Sequence, residues 1–462
     1  MIKRTLKEIQ SMVNGYGLNK KDNIKSIKGV STDTRTLKKD QLFIPIKGEQ
    51  FNGHAFIKAA ASKGACAALW CESEPTPDTD IPLIFVKDTV TAIQTLAKKY
   101  REELSMKVIG ITGTNGKTST KDILASILKT KYKTYKTQGN LNNHLGVPLT
   151  LLSINEDTEM AVIEMGMSCL GEIELLSKIA KPDAAIITNV GNAHLLDLKT
   201  IDNIIKAKLE IVKGLKQNGL FVCNGDNPSL IKEVNNLKLN QNFITFGECK
   251  SNDYSVKVKS FDKKGISFTF NKEKSPVFFL PLLGKHQIVN ATAAIVIAKY
   301  FNIDFDLVKK GLLNLTLTKM RSELIKGDAF DILNDSYNSN PESTKAALDT
   351  IYSLNNYSQK IVVFGDMLEL GEKEIDMHKE IGNKINLNKL DYFFTIGPLA
   401  KHAGIEAKIK EGKCKVLSFM NKKELIKTIK RVVKKDSIIL LKASRGMKLE
   451  EVSDALLDNK KI

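Results

Sequence analysis

Short runs of consecutive apolar residues recur along the chain, each followed by a turn and then by a stretch with helical periodicity. From Lys107 the segment KVIGIT predicts a buried strand, Gly113–Gly116 a turn, and Ser119–Lys129 a helix with an apolar face. Further strands are predicted at Met160–Glu164, Ala184–Thr188 and Leu220–Cys223, with helical patterns between them. Strands alternating with helices predict a parallel sheet covered on both faces. Tyr254–Phe270 switches to period-two alternation, a β-rich excursion, and a helix around Val289–Tyr300 closes this block. A further α/β unit starts near Met320, with strands predicted at Ala329–Leu333, Lys360–Phe364, Tyr392–Thr395, Lys415–Ser418 and Ser437–Leu441. Before Lys107 short apolar stretches alternate with turns and end in a predicted helix, Thr89–Leu104, with Glu74–Pro82 a Pro-rich surface loop. No repeat of fixed period is present.

These blocks predict an α/β protein of three domains, 1–104, 105–318 and 319–462. The 462-residue length agrees, at roughly 100–200 residues per domain. A composition of 42% hydrophobic and 26% charged residues excludes a wholly disordered chain. The longest apolar runs, such as Ala293–Ala298, fall far short of the roughly 20 residues that span a bilayer. MIKRTLKEIQ at the start has charges but no apolar signal core, so a soluble cytoplasmic protein without a membrane partner is expected. The net charge of 70 − 52 = +18 is scattered, and its short cluster Lys430–Lys435 reads as the solvent face of a helix. No nucleic-acid signature accompanies it, and no nucleic-acid partner is expected. The six cysteines form no CxxC pair, as expected for reduced thiols.

The strongest chemical signal is GITGTNGKTST, Gly110–Thr120, between a predicted strand and a predicted helix. In that setting backbone N–H groups of Gly113, Thr114, Asn115, Gly116 and Ser119 can wrap a polyphosphate. Lys117 supplies a cation to the terminal phosphates and Thr118 a hydroxyl to Mg²⁺. Gly110 stands six residues before Gly116, so the common spacing fails by one. The context still predicts ATP binding and phosphoryl transfer.

The departure carries information, because GTNGKT resembles the ATP loop of the Mur ligases. TQGNLNNHLGVP (Thr137–Pro148), EMG (Glu164–Gly166), TNVGNAHL (Thr188–Leu195) and KAKLEI (Lys206–Ile211) look like central-domain motifs of that family. NDSYNSNP (Asn334–Pro341), GDMLELGE (Gly365–Glu372) and KASRGM (Lys442–Met447) are similar to the member that adds D-alanyl-D-alanine. STDTR (Ser31–Arg35) and GEQFNGHAF (Gly48–Phe56) look like its UDP-sugar-binding domain. The resemblance covers nearly the whole chain. It implies an N-terminal UDP-sugar domain, a central P-loop ATPase-like domain and a C-terminal Rossmann-like domain. The implied activity is ATP-dependent amide ligation of a UDP-N-acetylmuramoyl-tripeptide with D-alanyl-D-alanine, by a monomer, in peptidoglycan synthesis.

Residue roles follow from the same resemblance. Glu164, at the carboxyl edge of the sheet, is an expected Mg²⁺ ligand beside Thr118, and His194 a ligand of a second metal. Lys208 matches a lysine that takes up CO₂ as a carbamate, completing that second site and joining Lys117 and His194 in catalysis. Lys206, two residues earlier, faces another side of the helix. Gln287 and Asn290 are expected on the adenine side, with Gln287 standing where the family has Asn. Arg321 and Asp335 are expected to close the third domain over ATP. Ser31, Asp33, Arg35, Asn52, Gly53 and His54 are candidates for the UDP-sugar, with Thr34 departing from the usual Ser. Asn338, Asp366 and Arg445 are candidates for the peptide or dipeptide. Two alternatives stay open: another amino-acid ligase of the superfamily, and a P-loop ATPase that couples hydrolysis to motion.

Overall fold

The computed structural model describes residues 1–191, 198–271 and 275–458. Each sequence block builds one sheet. The first is four-stranded and parallel, in the order Val30–Ser31, Leu42–Phe43, Ala67–Cys71, Leu83–Val86. The second is nine-stranded. Its parallel part runs Thr134–Lys136, Met160–Glu164, Lys107–Thr112, Ala184–Ile187, Leu220–Asn224, Asn242–Gly247 and Tyr254–Asp262. The β-rich excursion Gly265–Phe270 and Phe278–Leu280 then extends that sheet by antiparallel pairing.

The central strands are apolar at consecutive positions because helices cover both faces, and every residue of Met160–Glu164 is buried. Lys285–Tyr300 packs beside the helix Lys117–Leu128, and its run of buried alanines and isoleucines leaves it almost without a solvent face. Both helices begin earlier than the periodicity predicts, at Lys117 rather than Ser119 and at Lys285 rather than Val289. Each starts from a left-handed glycine, Gly116 (φ +81°) or Gly284 (φ +103°), with no capping side chain to announce it.

The third sheet is six-stranded, ordered Glu323–Ile325, Phe330–Asp335, Ser437–Lys442, Gln359–Gly365, Tyr392–Ile396, Lys415–Phe419. Its first pair is antiparallel and the rest parallel. The last strand inserts between two earlier ones, so the carboxyl ends of Phe330–Asp335 and Ser437–Lys442 lie side by side. In open α/β sheets such a reversal of order opens a crevice for ligands.

A single apolar cluster runs from Ile2 and Leu96 in the first block to Val108 and Leu151 in the second. The junction is reinforced by buried Arg101, whose Nε donates to the Ala180 carbonyl (2.9 Å), and by Asp183, which pairs with Lys216 and Lys107. No helix of the described residues is long and apolar enough to cross a membrane.

Candidate active site

The loop Gly113–Gly116 leaves the strand Lys107–Thr112 and turns directly into the helix Lys117–Leu128. Its glycines are required by space. A Cβ on Gly113 would lie 1.9 Å from Thr188 Oγ1, and one on Gly116 2.4 Å from Asn290 Oδ1. Asn189 braces the loop from the next strand's end, its carbonyl accepting from Thr114 N–H (3.0 Å) and its Oδ1 from Asn115 N–H (2.7 Å). The Lys117 ammonium folds back onto the carbonyls of Gly113 (2.7 Å) and Thr114 (3.2 Å). Burial pulls its pKa down to about 8; Glu164 opposes that pull and Arg321 adds to it.

Glu164, 2% exposed at the end of its strand, accepts from Thr118 Oγ1 (3.0 Å) and Asn142 Nδ2 (2.9 Å). A hydroxyl and a carboxylate in contact at a phosphate loop are the hard oxygen donors that Mg²⁺ prefers, so these residues fit that ion. Among the described residues no group of three or more His, Cys, Asp or Glu side chains is arranged to hold a metal ion. Lys208 is 1% exposed on the helix Ile201–Leu209, whereas Lys206 is exposed. Burial, and secondarily the charge of Lys117, hold the Lys208 pKa well below the ordinary lysine value. His194 lies outside the described residues.

The C-terminal block supplies the opposite wall. Arg321 sits between two residues in the left-handed region, Met320 (φ +60°) and Ser322 (φ +51°). Its guanidinium stacks over the Tyr337 ring at 4.0 Å, and its buried Nε has no hydrogen-bond partner. Asp335 accepts from Ser322 N–H (2.9 Å) and from Lys442 Nζ (2.7 Å), and Lys442 also donates to the Asn338 carbonyl (2.7 Å). Across the gap the amides of Asn115 and Asn340 bond reciprocally, the shorter contact being 2.9 Å.

Together these walls enclose one cleft of about 780 Å³, a size that suits a nucleotide and its co-substrate. It is lined by Gly113–Lys117, Ser119, Glu164, Lys208, Gln287, Asn290, Arg321, Asp335 and Asn338. Gln287 Oε1 accepts from Asn290 Nδ2 (3.3 Å), which keeps both amides on the face toward Gly116. Motif reading assigned no role to several lining residues, among them Lys442, His286, Glu369 and Asn142. Burial of an ionisable side chain, their common signal in the first two, is invisible in a linear pattern.

Other expected residues lie elsewhere. Asp366 is buried and its Oδ1 accepts from Ala400 N–H (2.7 Å), so it fixes the start of the helix Ala400–Ile409 instead of facing the cleft. Arg445 is exposed and pairs with Glu450, also outside the cleft lining. In the N-terminal block Arg35 is held by Asp33 (2.7 Å), and Ser31 by the Asp33 backbone. Asn52 donates to Glu74 and accepts from His54 N–H. Both His54 ring nitrogens have internal partners, Asn52 Oδ1 (2.8 Å) and Cys71 N–H (3.3 Å), and a Cβ on Gly53 would strike Ile46. His54 and Gly53 therefore shape their loop.

Three family models tile the chain: the Mur ligase family catalytic domain over residues 26–101, the Mur ligase middle domain over 111–298, and the Mur ligase glutamate ligase domain over 320–445. The UDP-N-acetylmuramoyl-tripeptide–D-alanyl-D-alanine ligase of Bacillus subtilis is 46% identical over 99% of both chains. The chain belongs to the Mur ligase family. The ligase of the same name from Escherichia coli is 33% identical, again over 99% of each chain. Among solved structures, MurF from Acinetobacter baumannii superposes with a TM-score of 0.89, at 30% identity, covering 99% of this chain and 100% of that one. A MurF ligase of Thermotoga maritima in complex with ADP gives 0.82 at 30% identity, over 93% and 97%. Mur ligases are ATP-dependent enzymes, and the three sheets of this chain are their three-domain α/β architecture.

Proposed function

We propose that this enzyme joins D-alanyl-D-alanine to the free carboxylate of a UDP-N-acetylmuramoyl-tripeptide, at the expense of ATP, in the cytoplasmic synthesis of peptidoglycan precursor. One observation carries the reading: a single cleft holds the phosphate loop, the buried Lys208 and the C-terminal pair Arg321 and Asp335. The near full-length likeness to ligases bearing that name supports the choice of substrates.

The chemistry needs two displacements. The tripeptide carboxylate attacks the γ-phosphorus, the bond to the ADP oxygen breaks, and an acyl phosphate forms. The dipeptide nitrogen then attacks the acyl carbon, phosphate departs with the C–O bonding pair, and the amine loses its proton. Lys117 and the first N–H groups of its helix hold the transferred phosphate, while Arg321 brings a cation from the other wall. Thr118 and Glu164 would hold Mg²⁺, which when bound offsets repulsion between phosphate and carboxylate. Gln287 and Asn290 would face adenine, and Asp335 and Asn338 would shape the ribose and peptide side.

Lys208 is read as the carbamate-forming lysine. Its burial favours the uncharged amine, the form whose nitrogen bonds to CO₂ with release of a proton. His194 would join it at a second metal. Ser31, Asp33, Arg35 and Asn52 would meet the UDP-sugar on the 1–104 domain, with ATP on 105–318 and the dipeptide on 319–462. One chain supplies every wall of the cleft, in keeping with a monomer.

The test is to incubate the enzyme with ATP, Mg²⁺, UDP-muramoyl-tripeptide and D-Ala-D-Ala and weigh the product. The expected mass is that of both substrates less one water. Equally fast ADP formation without any amine acceptor would favour an ATPase motor and overturn the reading.

A further inference from the structure

The segment GDMLELGE buries two side chains three positions apart, Met367 and Leu370, in the C-terminal core. Its backbone is pinned as well. Met367 N–H donates to His378 Nε2 (2.9 Å), Leu368 N–H to Ser444 Oγ (2.9 Å), and Ser444 N–H to the Asp366 carbonyl (3.0 Å). Between these anchors Glu369 is forced into the left-handed region at φ +66°, which a glutamate rarely adopts. Gly or Asn would suit that backbone better, and strain of this kind gathers at functional sites.

The Glu369 side chain is exposed into the same cleft as Lys117 and Arg321. Three other carboxylates of that cleft are already engaged. Glu164 has Thr118 and Asn142, Glu172 caps the N–H of Cys169 (3.0 Å), and Asp335 holds Ser322 and Lys442. Among the described residues Glu369 has neither hydrogen bond nor ion pair. It faces the cleft as an anion awaiting a cation. ATP and the nucleotide-linked acid bring negative charge to the reaction. The amine acceptor brings the opposite: a dipeptide α-amine, with a pKa of roughly 8, enters neutral water largely as ammonium.

We infer that Glu369 is a substrate-positioning residue that binds the ammonium of the incoming dipeptide and aims its nitrogen at the acyl carbon. This rests on the amide-ligase reading above. The carboxylate accepts N–H bonds from the ammonium; one proton passes to solvent water, the freed lone pair attacks the acyl carbon, and a second proton follows to solvent as phosphate departs. Charge-assisted hydrogen bonds of this type correspond to roughly tenfold to hundredfold in affinity.

Glu369→Gln keeps size and backbone but removes the charge. Its KM for D-Ala-D-Ala should rise about tenfold to a hundredfold, while the KM values for ATP and UDP-tripeptide and the Mg²⁺ half-saturation stay at wild-type values. Glu369→Asp, which keeps the anion and tolerates a left-handed backbone better, should recover part of that loss. Hydroxylamine is uncharged near neutral pH, so wild type and Glu369→Gln should trap the acyl phosphate as hydroxamate equally well. An unchanged dipeptide KM in Glu369→Gln would overturn the inference, as would a loss of hydroxamate trapping equal to the loss of dipeptide ligation. Failure of the wild type to ligate the dipeptide would instead defeat the underlying reading.

Discussion

Lys117 is bonded to two carbonyls of its own loop, and a phosphate entering the cleft would compete with them for the ammonium. Phosphate oxygens are the stronger acceptors because they carry charge. No other lysine sits in that loop, so Lys117→Ala should cut the rate of product formation on the order of 10³-fold, as for other groups that stabilise transferred charge. Near-normal turnover in the folded variant would remove Lys117 from the mechanism. Lys208 calls for a different experiment. Lys208→Ala should lose most activity, and a short carboxylic acid in the buffer should restore part of it by standing in for the carbamate. Added amines should not. Full activity in Lys208→Arg would discard the carbamate, and ¹³C-labelled CO₂ should give the wild type a carbamate NMR signal that Lys208→Arg lacks. The loop residues were legible because their chemistry is local: glycines, a lysine and a hydroxyl within a few positions. Glu369 and Lys442 were not, since their environment is made by chain segments far apart in sequence, His378 and Ser444 around one and Asp335 and Asn338 around the other.

Strands were read more sharply than helices. Lys107–Thr112 and Met160–Glu164 stand where the apolar runs placed them, because a buried parallel strand writes itself as a continuous apolar segment. The helices behind the site start at glycines whose positive φ serves close approach to a neighbour, and the usual Ser, Thr, Asp or Asn cap is missing. At the element that carries Glu369, a buried imidazole does the pinning. His378 is fully buried, with Nε2 accepting from Met367 N–H and Nδ1 against the Glu374 carbonyl (2.6 Å). Burial, outweighing the Glu374 carbonyl, lowers its pKa from 6.5. Below pH 6.5 the unfolded chain therefore takes up a proton that the folded one refuses, and stability falls as pH drops from there; above it the contribution is constant. Burial pushes His54 in the same direction. Calorimetry should show stability declining between about pH 6.5 and 5, above the range where ordinary carboxylates titrate. His378→Gln should be less stable at pH 7 and decline less steeply. An identical pH slope in the variant would show that His378 does not contribute.

At the scale of the molecule, two junctions joining three domains differ in kind. The first is packed: one apolar cluster continues from the N-terminal block into the central one, and Arg101 is buried in the seam. The second, near residue 319, crosses the cleft and is held by a smaller apolar contact, Leu283 and Phe261 against the C-terminal core, and by polar contacts such as the Asn115–Asn340 amide pair. The polar contacts exchange readily with water and the apolar one is small, so the C-terminal domain is the one expected to swing. The sequence marked both junctions as changes of pattern, yet pattern alone cannot separate a packed seam from a hinge. Closure has a chemical purpose, because an acyl phosphate exposed to water hydrolyses before an amine reaches it. On the proposed assignment ATP would bridge the two walls, with Lys117 on one side and Arg321 on the other, and its binding energy would favour the closed arrangement to the extent that both contacts exist only there. An ATP analogue together with UDP-tripeptide should therefore lower the radius of gyration in small-angle scattering. Arg321→Ala should respond less, having lost the contact from the moving side. A profile that stays unchanged at saturating ligand in the wild type would count against closure and leave the cleft as a preformed, rigid site.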